Sequence, residues 1–331
     1  MRGFILAADV GGTNMRTALL NVKGEVLNSL KRPSLAHKGR EALIKRLVQM
    51  FQDTLREGGA DIRKIRGIGV GFPGPLDTER GIVFNPPNLK GWQEVYLRDI
   101  LEQEMGRPVV LENDANAAAL GEHWKGAGRG TRSLVCLTLG TGVGGGVVLE
   151  GRVWHGAKGI AGEIGHMTLV KNGRRCGCGN RGCLETYGSA TGIITTMKGL
   201  LERHHIKPKE AVTLERMGRW ARQSSRVQRF KGSKGPLPAL AQRAIRETGV
   251  SLGIGIANVA NLLNPEMIVL SGGVTNLGEY LFGPLREEVK KRALPKVVEG
   301  LRIVRAELGD NAGVVGAARA LLLTVAQGRN G

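Results

Sequence analysis

The chain has 331 residues, with 48 Lys or Arg against 29 Asp or Glu, and its formal net charge is +19. Its hydrophobic content of 41% and its length are sufficient for two domains of ordinary size. No apolar run approaches the roughly 20 residues of a membrane span, and Asp9 interrupts the N-terminal run too early for a secretory signal. We therefore expect a cytoplasmic protein without membrane contact. Its positive charge suits nucleic acid, anionic substrates such as ATP or polyphosphate, or a merely soluble basic surface.

The first part of the chain predicts alternating strands and helices. Apolar runs separated by glycine turns indicate strands, and an apolar stripe at helical spacing over 40–58 indicates a helix. In chain order we predict strands at 4–10, 15–22 and 25–32, a helix at 40–58, a strand at 65–74, a helix at 94–105, a strand at 108–112 and an Ala-rich helix at 115–125.

The same order begins again after Thr131, which predicts a second, related domain. A strand at 133–140, a turn at 141–146 and a returning strand at 146–156 repeat the opening hairpin, and later segments predict strands at 267–271 and 301–306 and a helix at 312–327. We expect two α/β domains with a cleft between them. The predicted small domain is 1–112 plus about 312–331, and the large domain is 113–311.

Glycine turns at strand ends are candidate phosphate-binding sites. Neither 9–14 nor 139–146 has the lysine of a Walker A loop, and a strand rather than a helix follows each. Their backbone N–H groups and threonine hydroxyls suit phosphate oxygens. One such turn alone is more often only a turn, but two in equivalent positions favour a nucleotide site. The candidates are Asp9, Gly11, Gly12, Thr13, Asn14, Thr141, Gly142 and Gly144, with Gly272 and Gly273 on the nucleoside side.

Three of the four cysteines fall within eight positions and predict a metal loop at 166–183. His166, Cys176, Cys178 and Cys183 form a Cys₃His set that suits a structural Zn²⁺ with no position left for substrate. The alternatives are a cluster of reduced cysteines or a disulfide. Cys136, in an apolar strand, is expected to be a small buried residue.

Seven motifs together resemble the ROK family of repressors and sugar kinases, which has the actin-like, ribonuclease H-like ATPase fold. They are DVGGTN, GFPGPLD, ENDANAA, LGTGVGGGVV, GEIGH, CGCGNRGCLE and LSGGV. The resemblance extends from about residue 4 to residue 320 and is closest to bacterial ROK glucokinases. It implies an ATP-dependent hexokinase that phosphorylates the 6-hydroxyl of glucose, with catalytic Mg²⁺, structural Zn²⁺ and a homodimeric or homotetrameric assembly.

The resemblance also implies a role for individual residues. Asp114 becomes the catalytic base, although its place between a strand and a helix by itself favours a helix cap. Asp9 is expected to order Mg²⁺-bound water. His166 would bind zinc and reach the sugar with its other nitrogen. The implied hexose site consists of Asn88, Asn113, Asp114, Glu163, His166 and Glu185.

Several other functions stay open. The same scaffold carries kinases of N-acetylglucosamine, N-acetylmannosamine or fructose, and the +19 charge would also suit a polyphosphate-using hexokinase. A sugar-responsive transcriptional regulator is a further alternative, but the stretch before Asp9 is too short for a DNA-binding helix-turn-helix, so nucleic acid is not an expected partner.

The segment 203–235 carries ten basic residues against two acidic ones, a charge of +8. Four of its arginines recur at helical spacing: Arg219, Arg222, Arg226 and Arg229. They indicate a solvated face, with a subunit contact and an electrostatic guide for ATP or polyphosphate as alternatives.

Overall fold

The computed structural model describes residues 3–86, 89, 91–227 and 236–327. The chain forms two compact units, each assembled from separate segments. Unit 1 comprises Met1–Cys136, Gly146–Gly162 and Ala306–Gly331, and unit 2 comprises Leu137–Gly145 and Glu163–Arg305.

The described chain contains strands and helices in the regions for which the sequence predicts them, and it also has helices that were not predicted, at Ala190–Arg203, Leu237–Leu263 and Glu279–Arg292. The first group is β1 (Phe4–Val10), β2 (Asn14–Asn21), β3 (Val26–Pro33), α1 (Arg40–Glu57), β4 (Ile65–Phe72), β5 (Leu76–Asp77), β6 (Ile82–Val83), α2 (Leu97–Met105), β7 (Val109–Asn113) and α3 (Asp114–Lys125). The second group is β8 (Leu134–Leu139), β9 (Val143–Leu149), β10 (Arg152–Val153), α4 (Glu185–Gly188), α5 (Ala190–Arg203), α6 (Leu214–Val227), α7 (Leu237–Leu263), β11 (Met267–Ser271), α8 (Glu279–Arg292), α9 (Pro295–Val298), β12 (Arg302–Arg305) and α10 (Ala312–Gln327).

The sheet of unit 1 has the strand order β3-β2-β1-β4-β7. Strands β1, β2 and β3 form an antiparallel meander, whereas β4 and β7 run parallel to β1. Because side chains alternate between the faces of a strand, β1 contributes to two cores. Leu6, Ala8 and Val10 belong to the core that includes α1 and α2. Ile5 and Ala7 belong to the core that includes α10.

Helices α3 and α10 approach each other closely through glycines. A Cβ added to Gly316 would overlap the carbonyl oxygen of Ala117, and one added to Gly121 would overlap the carbonyl oxygen of Ala312. Glycine is therefore required at both positions for this packing. The result is that α3, whose first residue is Asp114, is held against α10 as well as against the sheet.

The second sheet has the strand order β10-β9-β8-β11-β12, and the chain passes between the two units within β8 and β9. Strands β11 and β12 are parallel. The 27-residue helix α7 is the longest described helix, and it packs against α5, α6 and α8 within unit 2. It ends at Asn264, which has the left-handed conformation typical of helix C-termini, with φ 44°.

Several predicted boundaries differ from the structure, and two of them concern the predicted site residues or the division into domains. Strand β9 begins at Val143 rather than at 146, so Gly144 lies in a strand and the turn is shorter than predicted. Gly146 in this strand serves close packing, because a Cβ added to it would lie 2.7 Å from the carbonyl oxygen of Ala115. The predicted domain boundary at residue 112 also differs from the structure. Strand β7, which pairs with β4, and the following helix α3 both lie in unit 1, so unit 1 continues beyond residue 112.

Among the helices of the described ranges, none combines the length and the apolar character needed to cross a membrane.

Candidate active site and metal centre

The junction of β7 and α3 carries the predicted catalytic base. Asn113 ends the strand, and its Oδ1 accepts hydrogen bonds from the backbone N–H groups of Ala115 at 3.0 Å and Asn116 at 3.2 Å. The helix cap is therefore Asn113, not Asp114. Asp114 is the first helical residue, and its Oδ1 accepts a hydrogen bond of 2.8 Å from the N–H of Ala115. Asn113 Nδ2 also donates to the carbonyl of Gly74 at 3.3 Å.

Asp9 lies near the end of β1 and shares unit 1 with Asp114. Burial, together with the negative charge of Asp114, raises the pKa of Asp9 to about 7, against a smaller opposing effect of Arg16. The start of α10 comes close to this carboxylate, and a Cβ at Gly313 would overlap it. Two neighbouring carboxylates that repel each other's charge are suited to a divalent cation with oxygen ligands.

The glycine turn of unit 1 connects β1 with β2. Gly12, Thr13 and Asn14 are exposed, and the N–H of Gly11 donates to the carbonyl of Asn14 at 2.9 Å. Ser34, the residue after β3, supports the turn, because its hydroxyl donates to the carbonyl of Gly12 at 2.8 Å and its N–H to that of Thr13 at 2.9 Å. These two hydrogen bonds from Ser34 hold the turn in place, while the residues at its tip face solvent.

The glycine turn of unit 2 lies beside the end of β11. Gly140 and Thr141 are exposed, and the carbonyl of Gly140 accepts a hydrogen bond of 2.8 Å from the N–H of Ala190. Gly272 has φ 91°, and a Cβ there would overlap the carbonyl of Leu139. Glycine is needed for this close approach, which brings the predicted nucleoside-side residues next to the predicted phosphate turn.

Four side chains of unit 2 form a compact group of metal-ligand type. The ligand atoms of His166, Cys176, Cys178 and Cys183 all lie within 4.8 Å of one another. His166 Nδ1 is 3.7 Å from Cys176 Sγ, and the Sγ atoms of Cys178 and Cys183 are 3.7 Å apart. A tetrahedron with ligands about 2.3 Å from zinc has edges of about 3.8 Å, so the spacing fits that ion. All four cysteines are free thiols.

Glu185 lies between this metal cluster and the glycine turn. Its Oε2 accepts a hydrogen bond of 3.0 Å from the backbone N–H of Val143, and its Oε1 lies 3.6 Å from Cys176 Sγ. Glu163 lies on the other side of the histidine, with its Oε2 3.7 Å from His166 Nε2. His166 therefore directs Nδ1 to the thiols and Nε2 towards a carboxylate.

Arg174 supports the metal loop, although no sequence motif identifies it as a site residue. Its guanidinium donates to the carbonyls of Thr186 at 2.8 Å and Gly192 at 3.2 Å, and to the Thr196 hydroxyl at 3.0 Å. It also stacks over the ring of Tyr187 at 4.6 Å. An arginine within the loop was the only signal, because all these partners follow the last cysteine in the chain.

The predicted site residues divide between the two units. Unit 1 contains Asp9, Gly11, Gly12, Thr13, Asn14, Asn113 and Asp114. Unit 2 contains Thr141, Gly142, Gly144, Glu163, His166, Cys176, Cys178, Cys183, Glu185, Gly272 and Gly273. Asn88 lies outside the described residues. So does Arg229 of the predicted basic stripe, whereas Arg219 lies on α6 with its guanidinium 3.9 Å from Glu215.

Comparison with known proteins identifies the family. The sequence pattern of the ROK family matches residues 5–324. The chain belongs to the ROK family. This ROK protein is 38% identical to a glucokinase of Halalkalibacterium halodurans, over 94% of this chain and 92% of the relative. It is 33% identical to a xylose repressor of Caldicellulosiruptor bescii, over 95% of this chain and 77% of the relative.

Solved structures give the same assignment and the fold. A ROK hexokinase from Thermus thermophilus is 33% identical, with a TM-score of 0.77 over 98% of this chain and 99% of the other. A ROK family glucokinase from Streptomyces griseus, solved with glucose and AMPPNP, is 29% identical, with a TM-score of 0.77 over 96% and 98% of the two chains. The expected α/β, actin-like ATPase fold is thereby confirmed.

Proposed function

We propose that this ROK protein is an ATP-dependent hexokinase that transfers the γ-phosphoryl group of ATP to the 6-hydroxyl of glucose. The observation that carries the proposal is the pair of carboxylates in unit 1. Asp114 begins a helix beside its capping residue, and Asp9 precedes an exposed glycine turn. Similarity to glucokinases over nearly the whole chain supports glucose as the substrate.

Asp114 is the general base in this proposal. Phosphoryl transfer requires an aligned hydroxyl, neutralised phosphate charge and a base near the attacking oxygen. The N–H of Ala115, which donates to Asp114 Oδ1, orients the carboxylate at the helix start. Asp114 would accept the proton of the sugar hydroxyl while Asn113, Glu163, His166, Glu185 and Asn88 bind the other hydroxyls.

The remaining predicted residues bind ATP and metal in the proposal. Backbone N–H groups of the two glycine turns hold the phosphates, with hydroxyls of Thr13 and Thr141 as further donors. Mg²⁺ supplies positive charge to the phosphates when bound, and Asp9 would hold its water ligands. Zn²⁺ would be structural, because His166, Cys176, Cys178 and Cys183 complete a tetrahedral set.

The test is an assay of the purified protein with glucose, fructose, mannose, N-acetylglucosamine and N-acetylmannosamine, each with ATP and with polyphosphate. We expect glucose 6-phosphate to form from glucose and ATP at the highest kcat/KM. Asp114→Asn should lower kcat by about 10²–10⁴-fold with the sugar still bound. Asp99→Asn, an exposed carboxylate on α2, is the control. A higher kcat/KM with another sugar or with polyphosphate would change the proposed substrate or phosphoryl donor. An Asp114→Asn variant with near-wild-type kcat would show that Asp114 is not the general base.

A sugar-responsive regulator is the second candidate. The similarity to a xylose repressor and the +19 charge favour it. A gel shift with random and operator-like DNA at physiological salt separates the two candidates. Sugar-sensitive DNA binding without phosphoryl transfer would favour the regulator. The predicted homodimer or homotetramer is tested in the same preparation by measuring its mass in solution.

A further inference from the structure

In unit 1, the buried Glu112 lies directly before the Asn113–Asp114 junction and pairs with His155, whose side chain is 36% exposed. Glu112 is 4% exposed, and Nε2 of His155 lies 2.9 Å from its Oε2 and 3.2 Å from its Oε1. A buried carboxylate is costly unless it is hydrogen bonded and paired. The mechanism proposed above assigns no role to either residue.

Glu112 fixes the junction on both sides of Asp114. Its Oε1 accepts a hydrogen bond of 2.9 Å from the backbone N–H of Asn113 and one of 3.2 Å from the Nδ2 of Asn116. Asn113 is the helix cap, and Asn116 belongs to the first turn of α3. Asp114 therefore lies between two groups that the same carboxylate holds.

His155 is the hydrogen-bond partner of this carboxylate. The hydrogen bond to Glu112 raises the pKa of His155, burial of the ring lowers it, and the charges of Glu112 and Glu79 raise it further, with a net increase. The imidazole and Glu112 line a cavity of about 630 Å³ in unit 1, whose other charged residues are Glu79, Arg98, Glu102 and Arg152. The space beside the ring can admit a small molecule.

We propose that His155 is a positioning residue for phosphoryl transfer, which acts through Glu112 to hold the Asn113–Asp114 junction in the orientation that the base requires. The inference rests on the proposed kinase function. Its distinctive consequence is a loss in the chemical step, because Asp114 would be misplaced while the groups that bind the sugar are retained. A displacement of a reacting group by about 1 Å can cost about 10²-fold in rate.

The test compares kcat with glucose affinity, measured by calorimetry, in variants of the full chain. His155→Ala should lower kcat by about 10- to 100-fold with nearly unchanged glucose Kd, and millimolar imidazole should restore part of kcat. His155→Gln places an amide N–H near the position of Nε2 and should retain most of kcat. His155→Leu removes the donor and should lose kcat without rescue. His204→Ala, an exposed histidine after α5, controls for effects of imidazole.

The proposal is overturned if His155→Ala keeps kcat within about twofold of wild type, or if kcat and glucose binding fall together and neither imidazole nor Gln restores them. If the Ala and Leu variants do not fold, the proposal is tested by comparing kcat of His155→Gln with kcat of His155→Asn. The shorter Asn side chain does not reach Glu112, so a lower kcat in the Asn variant supports the proposal and equal values overturn it. A wild-type protein without kinase activity would instead contradict the proposed function itself.

Discussion

Glu185 accepts a hydrogen bond of 3.0 Å from the backbone N–H of Val143, the residue at which the glycine turn of unit 2 becomes strand β9. Its other oxygen lies 3.6 Å from Cys176 Sγ. One carboxylate thus connects the metal cluster with the turn that we propose binds ATP phosphates. A substitution at Glu185 should therefore affect both substrates, although the residue was predicted only as a sugar ligand.

Glu185→Ala should raise KM for glucose and for ATP, each by about 10-fold or more, because a hydrogen bond to a charged group contributes about 1.5–3 kcal/mol. Glu185→Gln keeps an oxygen acceptor for the Val143 N–H, so its ATP KM should stay near wild type while its glucose KM rises. Steady-state kinetics with each substrate varied gives both constants. An Ala variant with an unchanged ATP KM would show that this hydrogen bond does not support the ATP turn.

Asp9→Asn should make the ligand-free protein more stable at pH 8 while it abolishes most turnover. The pKa of Asp9 is about 7 in the folded protein, against an ordinary value of 3.8, so the folded state binds the proton more tightly than the unfolded state. The contribution of Asp9 to the free energy of unfolding is therefore largest below about pH 4, falls as pH rises from about 4 to about 7, and reaches its lowest value above that range. The variant has no such titration.

Urea unfolding at pH 5 and pH 8 measures this difference. The advantage of Asp9→Asn over wild type should grow between the two pH values, by an amount on the order of 1–3 kcal/mol. Asp99→Asn is the matched control and should show no such growth. Equal differences at the two pH values would mean that Asp9 is already ionised in the folded protein below neutrality.

Cys178→Ser should lower the zinc content, which we expect to be one ion per chain in the wild type, and should raise the glucose KM. Cys178 is the exposed cysteine of the cluster, so the substitution leaves the core intact. Cys136→Ala, at a buried thiol outside the cluster, should keep the zinc. Elemental analysis of protein purified without chelators provides the measurement. Wild-type protein free of zinc would exclude the metal.

Arg174→Ala should release zinc to a chelator faster than wild type and lower the free energy of unfolding. The variant loses three guanidinium hydrogen bonds and the stacking on Tyr187, and a hydrogen bond of a charged group contributes about 1.5–3 kcal/mol. Arg175→Ala is the control, because the neighbouring side chain is exposed. Identical zinc-release rates for the two variants would show that Arg174 does not stabilise the loop.

Features set by local sequence were predictable. The stripe of Leu43, Leu47, Phe51 and Leu55 places the helix at 40–58 within one residue of its observed end, because helical periodicity needs only neighbouring residues. The four candidate metal ligands lie within 18 positions, so a short loop can bring them together. Motif resemblance supplied the fold, which pattern alone would have left as two α/β domains.

Features that depend on distant residues were not predictable. Gly313 approaches Asp9 from the far end of the chain, and no local pattern relates the two. His155 reaches Glu112 across 43 positions, and the predicted strand at 146–156, in which it lies, gives no sign of this partner. Gly146 was interpreted as part of a turn, because the sequence does not show that it packs against Ala115 and Ala119 of α3.

Helix α10, near the C-terminus, packs in unit 1, and this has a consequence during synthesis of the protein on the ribosome. Ile5, Ala7, Ala18 and Leu20 are covered by Val314, Val315, Ala317, Ala318 and Leu321. At a synthesis rate of about 5–20 residues per second, roughly fifteen seconds to a minute separate the two groups. During that interval one apolar face of the sheet lacks its cover, whereas every segment of unit 2 has been translated before α10 emerges. The nascent chain therefore presents a hydrophobic surface to chaperones until translation is almost complete.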